Sequence, residues 1–457
     1  MNIKQENYQA LLKYTNLLPE GANKSIRHEF REYANLLPFP TREPERATFA
    51  NGIEPILGEF VRRVSEVDVI SLSSGQEEII ERLLNTVEID EKDIPNFKEL
   101  FRNYLENEND QMKIFHPYVY HFLSFSEGQT AKGEKNIGGF IYDVLGNGDN
   151  IKEYFSNDDV EDILSKLLLD NLGELKASSE KVNFSTKLPH ITKMFNEDFN
   201  FLAQKKESFM KEFPMLLAYY YFFYITQMTL KLNQGFKADY EENTPLYWFL
   251  DFETSSKSRK GYKEGYSVIN QEKASLLPHM NTLAHLNVLV GSHKSLTYTE
   301  IETYIEESGQ EDLLNEMLVT WIGRYRRETS QVGIEEYPED YLSLVKLLRD
   351  SIRTGLTQAT IARYPKSIEN IGKKFFLKRR SSLGYALNAT QEFILLMTSF
   401  AIKEDRMPLN EVFEFLESRG LYFDRYSKEE IVILFDKLNL MDKKSDSGDA
   451  QYVKSIL

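Results

Sequence analysis

Cysteine is absent from the 457 residues, which excludes disulfides, thiolate metal sites and cysteine nucleophiles together. That absence fits a reducing compartment, and a cytoplasmic location is expected. The chain opens MNIKQENYQALL, with no apolar stretch after a basic start, so no signal peptide is read. Long hydrophobic runs are missing too. The longest, 215–230 (MLLAYYYFFYITQMTL), falls short of the ~20 residues that span a bilayer. It also carries Tyr219, Tyr220, Tyr221, Tyr224, Thr226, Gln227 and Thr229. A buried core helix is expected there, and no membrane contact.

Catalytic signatures are equally scarce. No His-Glu-x-x-His pair and no Gly-x-Ser-x-Gly elbow occurs. The seven histidines, His28, His116, His121, His190, His279, His285 and His293, are expected to be structural or on the surface. The segment 128–139 (GQTAKGEKNIGG) approaches a phosphate-cradling loop, but Glu134 separates Gly133 from Lys135. Asn136 stands where a magnesium-binding hydroxyl is needed, and a carboxylate there repels phosphate, so a flexible loop is expected. Asp90, Glu91 and Lys92, with Glu88 nearby, nominally offer a metal-dependent nuclease's two carboxylates and lysine. VEIDEKDIP reads instead as a charged turn. No catalytic residue, metal or cofactor is assigned, and the chain is expected not to be an enzyme.

What is abundant is aromatic and helical. Thirty Phe and 26 Tyr supply ample apolar area for large cores. Apolar residues recur at three- and four-residue spacing, the helical period, at 53–64, 76–84, 95–105, 160–172, 191–209, 274–290, 299–307, 311–324 and 337–354. The longest apolar helix is expected at 209–232. Strand signals are sparse before the C-terminus. The fold class is therefore mainly α, a multi-helical body with a C-terminal winged-helix module. The expected domains are an N-terminal helical region (1–110), a central helical domain (111–380) and the winged helix (381–457).

In that last segment, helices are expected at 390–402 and 409–419, with Gly420 as the stop. A third starts at Ser427, where Ser427 and Glu430 have capping-box spacing. Ile431, Leu434, Phe435 and Leu438 face inward in this reading. Residues 440–444 and 450–454 pair as a hairpin, the wing, with its turn at 445–449. The outward face of the third helix, Lys428, Glu429, Val432, Ile433, Asp436 and Lys437, is mixed in charge and partly apolar. It suits a protein contact at Val432 and Ile433 as well as a DNA groove.

Charge is uneven. Residues 353–457 hold 17 Lys and Arg against 14 Asp and Glu, a net of +3; residues 1–352 hold 38 against 57, a net of −19. An acidic body repels bulk DNA, so any contact must be local. The candidates are Arg363, Lys366, Lys373, Lys374, Lys378, Arg379 and Arg380, with Phe375 and Phe376 among them. A second patch holds Lys257, Arg259 and Lys260, interleaved with Tyr262 and Tyr266. Such residues can neutralise phosphates while aromatics stack or pack. For the first stretch the alternative is a basic helix docking onto the acidic body of the same chain; for the second, the favoured alternative is a surface loop with no ligand.

Two stretches carry a family resemblance: LYWFLDFETSSKSRKGYKEGY (246–266), and LNATQEFILLMTSFAI followed by FLESRGLYFDRYSKEEIVILFDKLNLMDKKSDSGDAQYVKSIL. They resemble the DptG (DndG) family of bacterial DNA phosphorothioation-dependent restriction. The resemblance implies a non-enzymatic subunit that works beside DptF and the ATPase DptH. It supplies no catalytic residue. Double-stranded DNA is the expected nucleic-acid partner. A purely structural adaptor with no DNA contact, or a cryptic metal nuclease, are the other readings.

Overall fold

Helix dominates because most of the chain carries apolar residues at the helical period and few β-branched runs. The computed structural model describes residues 3–18, 25–39, 49, 51–70, 76–105, 112–146, 148, 151–157, 160, 162–403, 405–443 and 451–456. The first half contains α1 (Gln5–Tyr14), α2 (Glu54–Ser65), α3 (Gln76–Thr86), α4 (Ile94–Leu105), α5 (Gln129–Leu145), α6 (Ile163–Asn171), α7 (Pro189–Ala203) and α8 (Lys206–Gln234). The second contains α9 (Ser267–Glu272), α10 (Leu276–Leu289), α11 (Tyr298–Ser308), α12 (Glu311–Glu328), α13 (Tyr341–Gly355), α14 (Gln358–Arg363), α15 (Lys366–Ile371), α16 (Gln391–Ala401), α17 (Leu409–Ser418) and α18 (Arg425–Lys437). The protein is mainly α. No described helix is long and apolar enough to cross a membrane.

Among the described residues, eight short strands form three small sheets, two of which had no reading in the sequence. They are β1 (Val67–Val69), β2 (Leu175–Ala177), β3 (Phe249–Leu250), β4 (Leu377–Arg379), β5 (Tyr385–Ala389), β6 (Arg406–Pro408), β7 (Met441–Lys443) and β8 (Gln451–Lys454). β1 pairs antiparallel with β2. β5 lies between β3, parallel, and β4, antiparallel. β8 lies between β6 and β7, antiparallel to both. The hairpin expected near the C-terminus is present in β7 and β8, and β6 adds an unforeseen third strand. Its turn, 445–449, lies outside the described residues, as do Lys444 and most of the proline-rich segment 38–52.

The chain divides into two compact units that interleave along the sequence. One comprises 1–45, 222–389 and 420–429; the other comprises 46–221, 390–419 and 430–457. The serial reading placed boundaries near 110 and 380 instead.

In the second of these units, four phenylalanines form one cluster. Phe209 stacks on Phe213 at 4.8 Å, Phe213 meets Phe199 edge-on at 5.4 Å, and Phe199 lies 5.9 Å from Phe195. Beside it, Tyr220 donates to the buried Asp198 at 2.5 Å, and Arg419 donates to Asp198 at 3.1 Å and to Glu197 at 2.8 Å. This network ties α7 and α8 to the chain that follows α17. The segment 191–209, read as one helix, breaks at Gln204 and Lys205 between α7 and α8.

The same unit corrects the reading of 128–139. It is not a loop but the first part of α5. The glycines let α5 press onto α2: a Cβ on Gly138 would come within 2.6 Å of the Glu59 Cβ and 2.9 Å of the Ile56 carbonyl. Close packing overrides glycine's poor helix propensity here. Glu134, the residue that spoiled the phosphate cradle, is buried and accepts from the Ser126 amide at 2.8 Å.

In the first unit, α10 is buried along its whole length. It lies inside the core although it carries polar residues, and Asn281, Thr282 and Asn287 bond carbonyls of their own helix, at Leu277, Pro278 and Leu283. α1 joins it through Asn7 Nδ2, which donates to the Leu289 carbonyl at 2.8 Å. Trp321 donates to His285 Nδ1 at 3.3 Å, and His279 Nδ1 bonds the Tyr298 hydroxyl at 2.8 Å. These histidines are core residues held by aromatic partners.

Candidate nucleic-acid interface

The two basic candidate stretches come together in the first unit, on the sheet β3-β5-β4. Trp248, Phe249 and Leu250 are all buried, so β3, although it ends the strand order, is covered by the rest of the unit. β4 is an edge: Leu377 turns inward while Lys378 and Arg379 are exposed. Charged residues on an edge strand also block pairing with foreign strands. Phe249 pairs with Asn388, and Arg379 stands opposite Tyr385.

The 420–429 segment closes this group. The Trp248 amide donates to the Tyr422 carbonyl at 2.9 Å, and the Trp248 indole to the Gly420 carbonyl at 3.3 Å. Gly420 has φ +84°, a left-handed conformation, and a Cβ there would meet the Phe223 ring at 2.3 Å. No side chain fits that place. Residues 246–266 and 420–427, both from the stretches that carry the family resemblance, are thus neighbours.

Arg259 was one of the candidates for a DNA contact, on a loop read as exposed. It is turned inward instead. Its guanidinium donates to both oxygens of Asp424, at 2.7 and 2.6 Å, to Ser427 Oγ at 2.9 Å and to Glu253 Oε2 at 3.3 Å. It also lies over the Phe249 and Tyr426 rings, at 5.3 and 4.9 Å. Burial pushes the Glu253 carboxyl above the ordinary carboxylate range, against the Leu250 amide, Arg259 and Ser427 that bond it. Asp424 is held low: burial opposes this, but the bonds from Arg259 and the Ser427 amide outweigh it. Arg380 is likewise committed. It donates to Asn388 Oδ1 at 2.6 Å, to the Glu253 carbonyl at 3.0 Å and to the Leu250 carbonyl.

This network also corrects the capping box. Asp424, not Ser427, caps α18, accepting from the Ser427 amide at 3.1 Å. The Ser427 hydroxyl is buried and donates to Glu253 Oε1 at 3.0 Å.

The remaining basic candidates are exposed. Lys260 donates to the Tyr247 hydroxyl at 3.0 Å and sits 4.4 Å from that ring's centre. Lys378 donates to the Asp251 carbonyl at 3.2 Å. Lys373 pairs with Glu369 and lies 4.7 Å over the Tyr385 ring. Arg363 and Lys366 stand exposed on α14 and α15. Lys257, Lys374 and Arg379 are exposed and make no ion pair or side-chain hydrogen bond among the described residues. Among these cations, exposed aromatics recur: Phe252 is 44% exposed, Tyr385 38% and Tyr426 61%. On α18, within the other unit, Ile433 is 45% exposed and Val432 half-buried. Leu438, read as inward, is exposed, because α18 ends one residue before it.

Glu253, Asp424, Ser427 and Asn388 had no reading as one group. Arg259 and Asp424 lie 165 residues apart, and no spacing rule pairs such positions. Only Asp424, three residues before Ser427, carried a local signal as a helix cap. Among the described residues, no group of three or more His, Asp or Glu is placed to hold a metal ion. At the nominal nuclease triplet, Lys92 and Asp90 are largely solvated, 3.3 Å apart.

No protein-family model matches this chain, and no curated protein does.

Proposed function

We propose that this protein is a non-enzymatic subunit of a bacterial DNA phosphorothioation-dependent restriction complex, assembling with DptF and the ATPase DptH. In this reading it contacts double-stranded DNA through a local basic face. One observation carries it. Segments far apart in sequence meet at the sheet β3-β5-β4: 246–266 and 420–427, which bear the family resemblance, and the basic stretch 373–380, with the exposed aromatics Phe252, Tyr385 and Tyr426 among them. A local group of exposed cations on an otherwise acidic chain can meet phosphate there while the rest of the chain repels it.

The cations left for DNA are Lys257, Lys260, Lys374, Lys378 and Arg379. Arg259 and Arg380 hold that face in place. Reversing Lys257, Lys374 and Arg379 to glutamate is expected to weaken duplex binding in a gel-shift titration. The slope of log affinity against log salt should flatten by about one for each phosphate no longer neutralised. Unchanged binding and slope would sink the DNA part of this proposal.

The finer architecture belongs to the same proposal. Helix α16, strand β6, helices α17 and α18, then β7 and β8, with β8 central, follow the order of a winged-helix module. With Val432 and the exposed Ile433 on its third helix, this module serves to hold a protein partner. Val432→Asp with Ile433→Asp should abolish co-purification with DptF and DptH while the melting temperature stays within a few degrees. Retained co-purification would remove that surface from the interface.

A further inference from the structure

Beside the basic face, the first unit contains an open cleft of about 350 Å³. One wall is the kinked turn Tyr262–Tyr266 with the start of α9; the other is the loop that leads through Gly384 into β5. Three tyrosines line it: Tyr262, Tyr266 and Tyr385. Asn270 and Gln271 line it as well, exposed, and their side-chain amides make no hydrogen bond among the described residues. Glu369 completes the lining, with Lys273 at 2.9 Å and Lys373 also paired to it.

We propose that this cleft receives an unpaired nucleobase of a single-stranded nucleic acid. The inference rests on the reading that this face meets nucleic acid, and it deepens it by naming the form of the ligand. The volume lies at the small end of ordinary ligand sites, about 300–1,000 Å³, which suits one planar heterocycle. The Tyr385 ring lines the cleft with the Lys373 ammonium 4.7 Å from its centre on one face, and the base would stack on the other. Asn270 and Gln271 each offer a donor and an acceptor that nothing else uses, the pairing a base edge needs. The Glu369 carboxylate can accept from an exocyclic amino group, and its two lysines offset its repulsion of phosphate. Arg379 stands opposite Tyr385 in the strand register, so both side chains leave the sheet on the same side. Arg379 therefore borders the stacking ring, and Lys374 follows Lys373 in the chain; Arg379 and Lys374, both exposed, can meet successive phosphates, as a strand carries and a free nucleotide does not. A paired base cannot use this site, because its edge is already bonded and both its faces are stacked. An aromatic side chain of a protein partner would use the tyrosines but leave both amides idle.

The test uses the full chain and a short single-stranded DNA carrying 2-aminopurine, whose fluorescence falls when it stacks on tyrosine. Binding is expected to quench the probe. Tyr385→Ala should abolish the quench and weaken single-strand binding about five- to 150-fold, the size of one base–aromatic stack. Tyr385→Phe should retain both, which also controls for folding. Asn270→Ala with Gln271→Ala should weaken single-strand binding while leaving duplex binding within twofold. Absence of quenching with the native protein would overturn the proposal. Equal loss of duplex and single-strand affinity in Tyr385→Ala would also overturn it, as would full competition by micromolar AMP, which would mark a free-nucleotide site. Loss of partner co-purification in Tyr385→Ala, with single-strand binding unchanged, would assign the cleft to a protein side chain. The broader DNA reading fails separately, when reversing Lys257, Lys374 and Arg379 leaves duplex affinity untouched.

Discussion

Arg259 shows how a charge legible in the sequence can have an illegible role. Lys257, Arg259 and Lys260 are equivalent on a count of cations, yet only Arg259 folds inward. Arginine's planar fork can serve two carboxylates, a hydroxyl and an aromatic face together, which a lysine ammonium cannot. Replacing Arg259 with Met would leave Glu253 and Asp424 facing each other without their cation. Breaking a fully buried pair costs about 3–5 kcal/mol. The outer edge of this pair meets solvent, so about 2–3 kcal/mol is expected, read as a lower midpoint in urea unfolding. Lys374→Ala on the same face should stay within about 0.5 kcal/mol. If Arg259→Met unfolded like the native chain but lost DNA affinity, Arg259 would be a DNA contact after all.

At the scale of elements, legibility followed the strength of the local pattern. Helices α16 and α17 carry Phe393, Leu396, Met397 and Phe400, then Leu409, Val412, Phe413 and Leu416, at helical spacing, and all but the half-buried Leu409 are buried. The sheet β3-β5-β4 was invisible because β3 has two residues and finds its partner more than a hundred positions away. The capping box was misread because Asp424 and Ser427 both suit a cap, and the buried Glu253 takes the serine hydroxyl. Helix α5 was misread because its glycines look like a loop until α2 is seen against them. That packing makes unequal demands at adjacent positions. At Gly138 the obstacles are the Glu59 Cβ and the Ile56 carbonyl, which cannot step aside. At Gly139 an added Cβ would stand 2.8 Å from the Arg63 guanidinium, the far end of a side chain, which can shift although it is paired with Glu59 and Glu180. Gly138→Ala should therefore destabilise by about 1–3 kcal/mol. Gly139→Ala should cost less, since a movable neighbour and the better helix propensity of alanine offset one another. Equal midpoints in denaturant for both variants would contradict this account of the α2–α5 contact.

For the whole molecule, the interleaving of two units means that each core contains residues from distant parts of the chain, which no serial reading of composition reveals. Both cores also contain buried neutral histidines, and these couple stability to pH in one direction. Burial lowers His121 to about 4 in one unit, and lowers His279 and His285 to about 3 in the other. In the unfolded chain each returns to about 6.5. A histidine with a lowered folded value contributes its full stability above 6.5 and loses it as pH falls toward that folded value, because only the unfolded chain takes the proton. Well below 6.5, each histidine should cost about 1.4 kcal/mol for every further pH unit. Glu59, Asp143 and Glu253 act in the opposite sense: burial raises their carboxyl groups, so acid favours their folded form. Their opposition grows toward the carboxylate range, about pH 4, so the histidine effect is cleanest between about pH 6.5 and 5. Stability from urea midpoints should therefore fall across that window. Replacing His279 and His285 together with glutamine should flatten the fall, even though the doubly changed protein starts less stable at pH 7.5. A slope identical to that of the native chain would mean that acid sensitivity in this window arises from other groups.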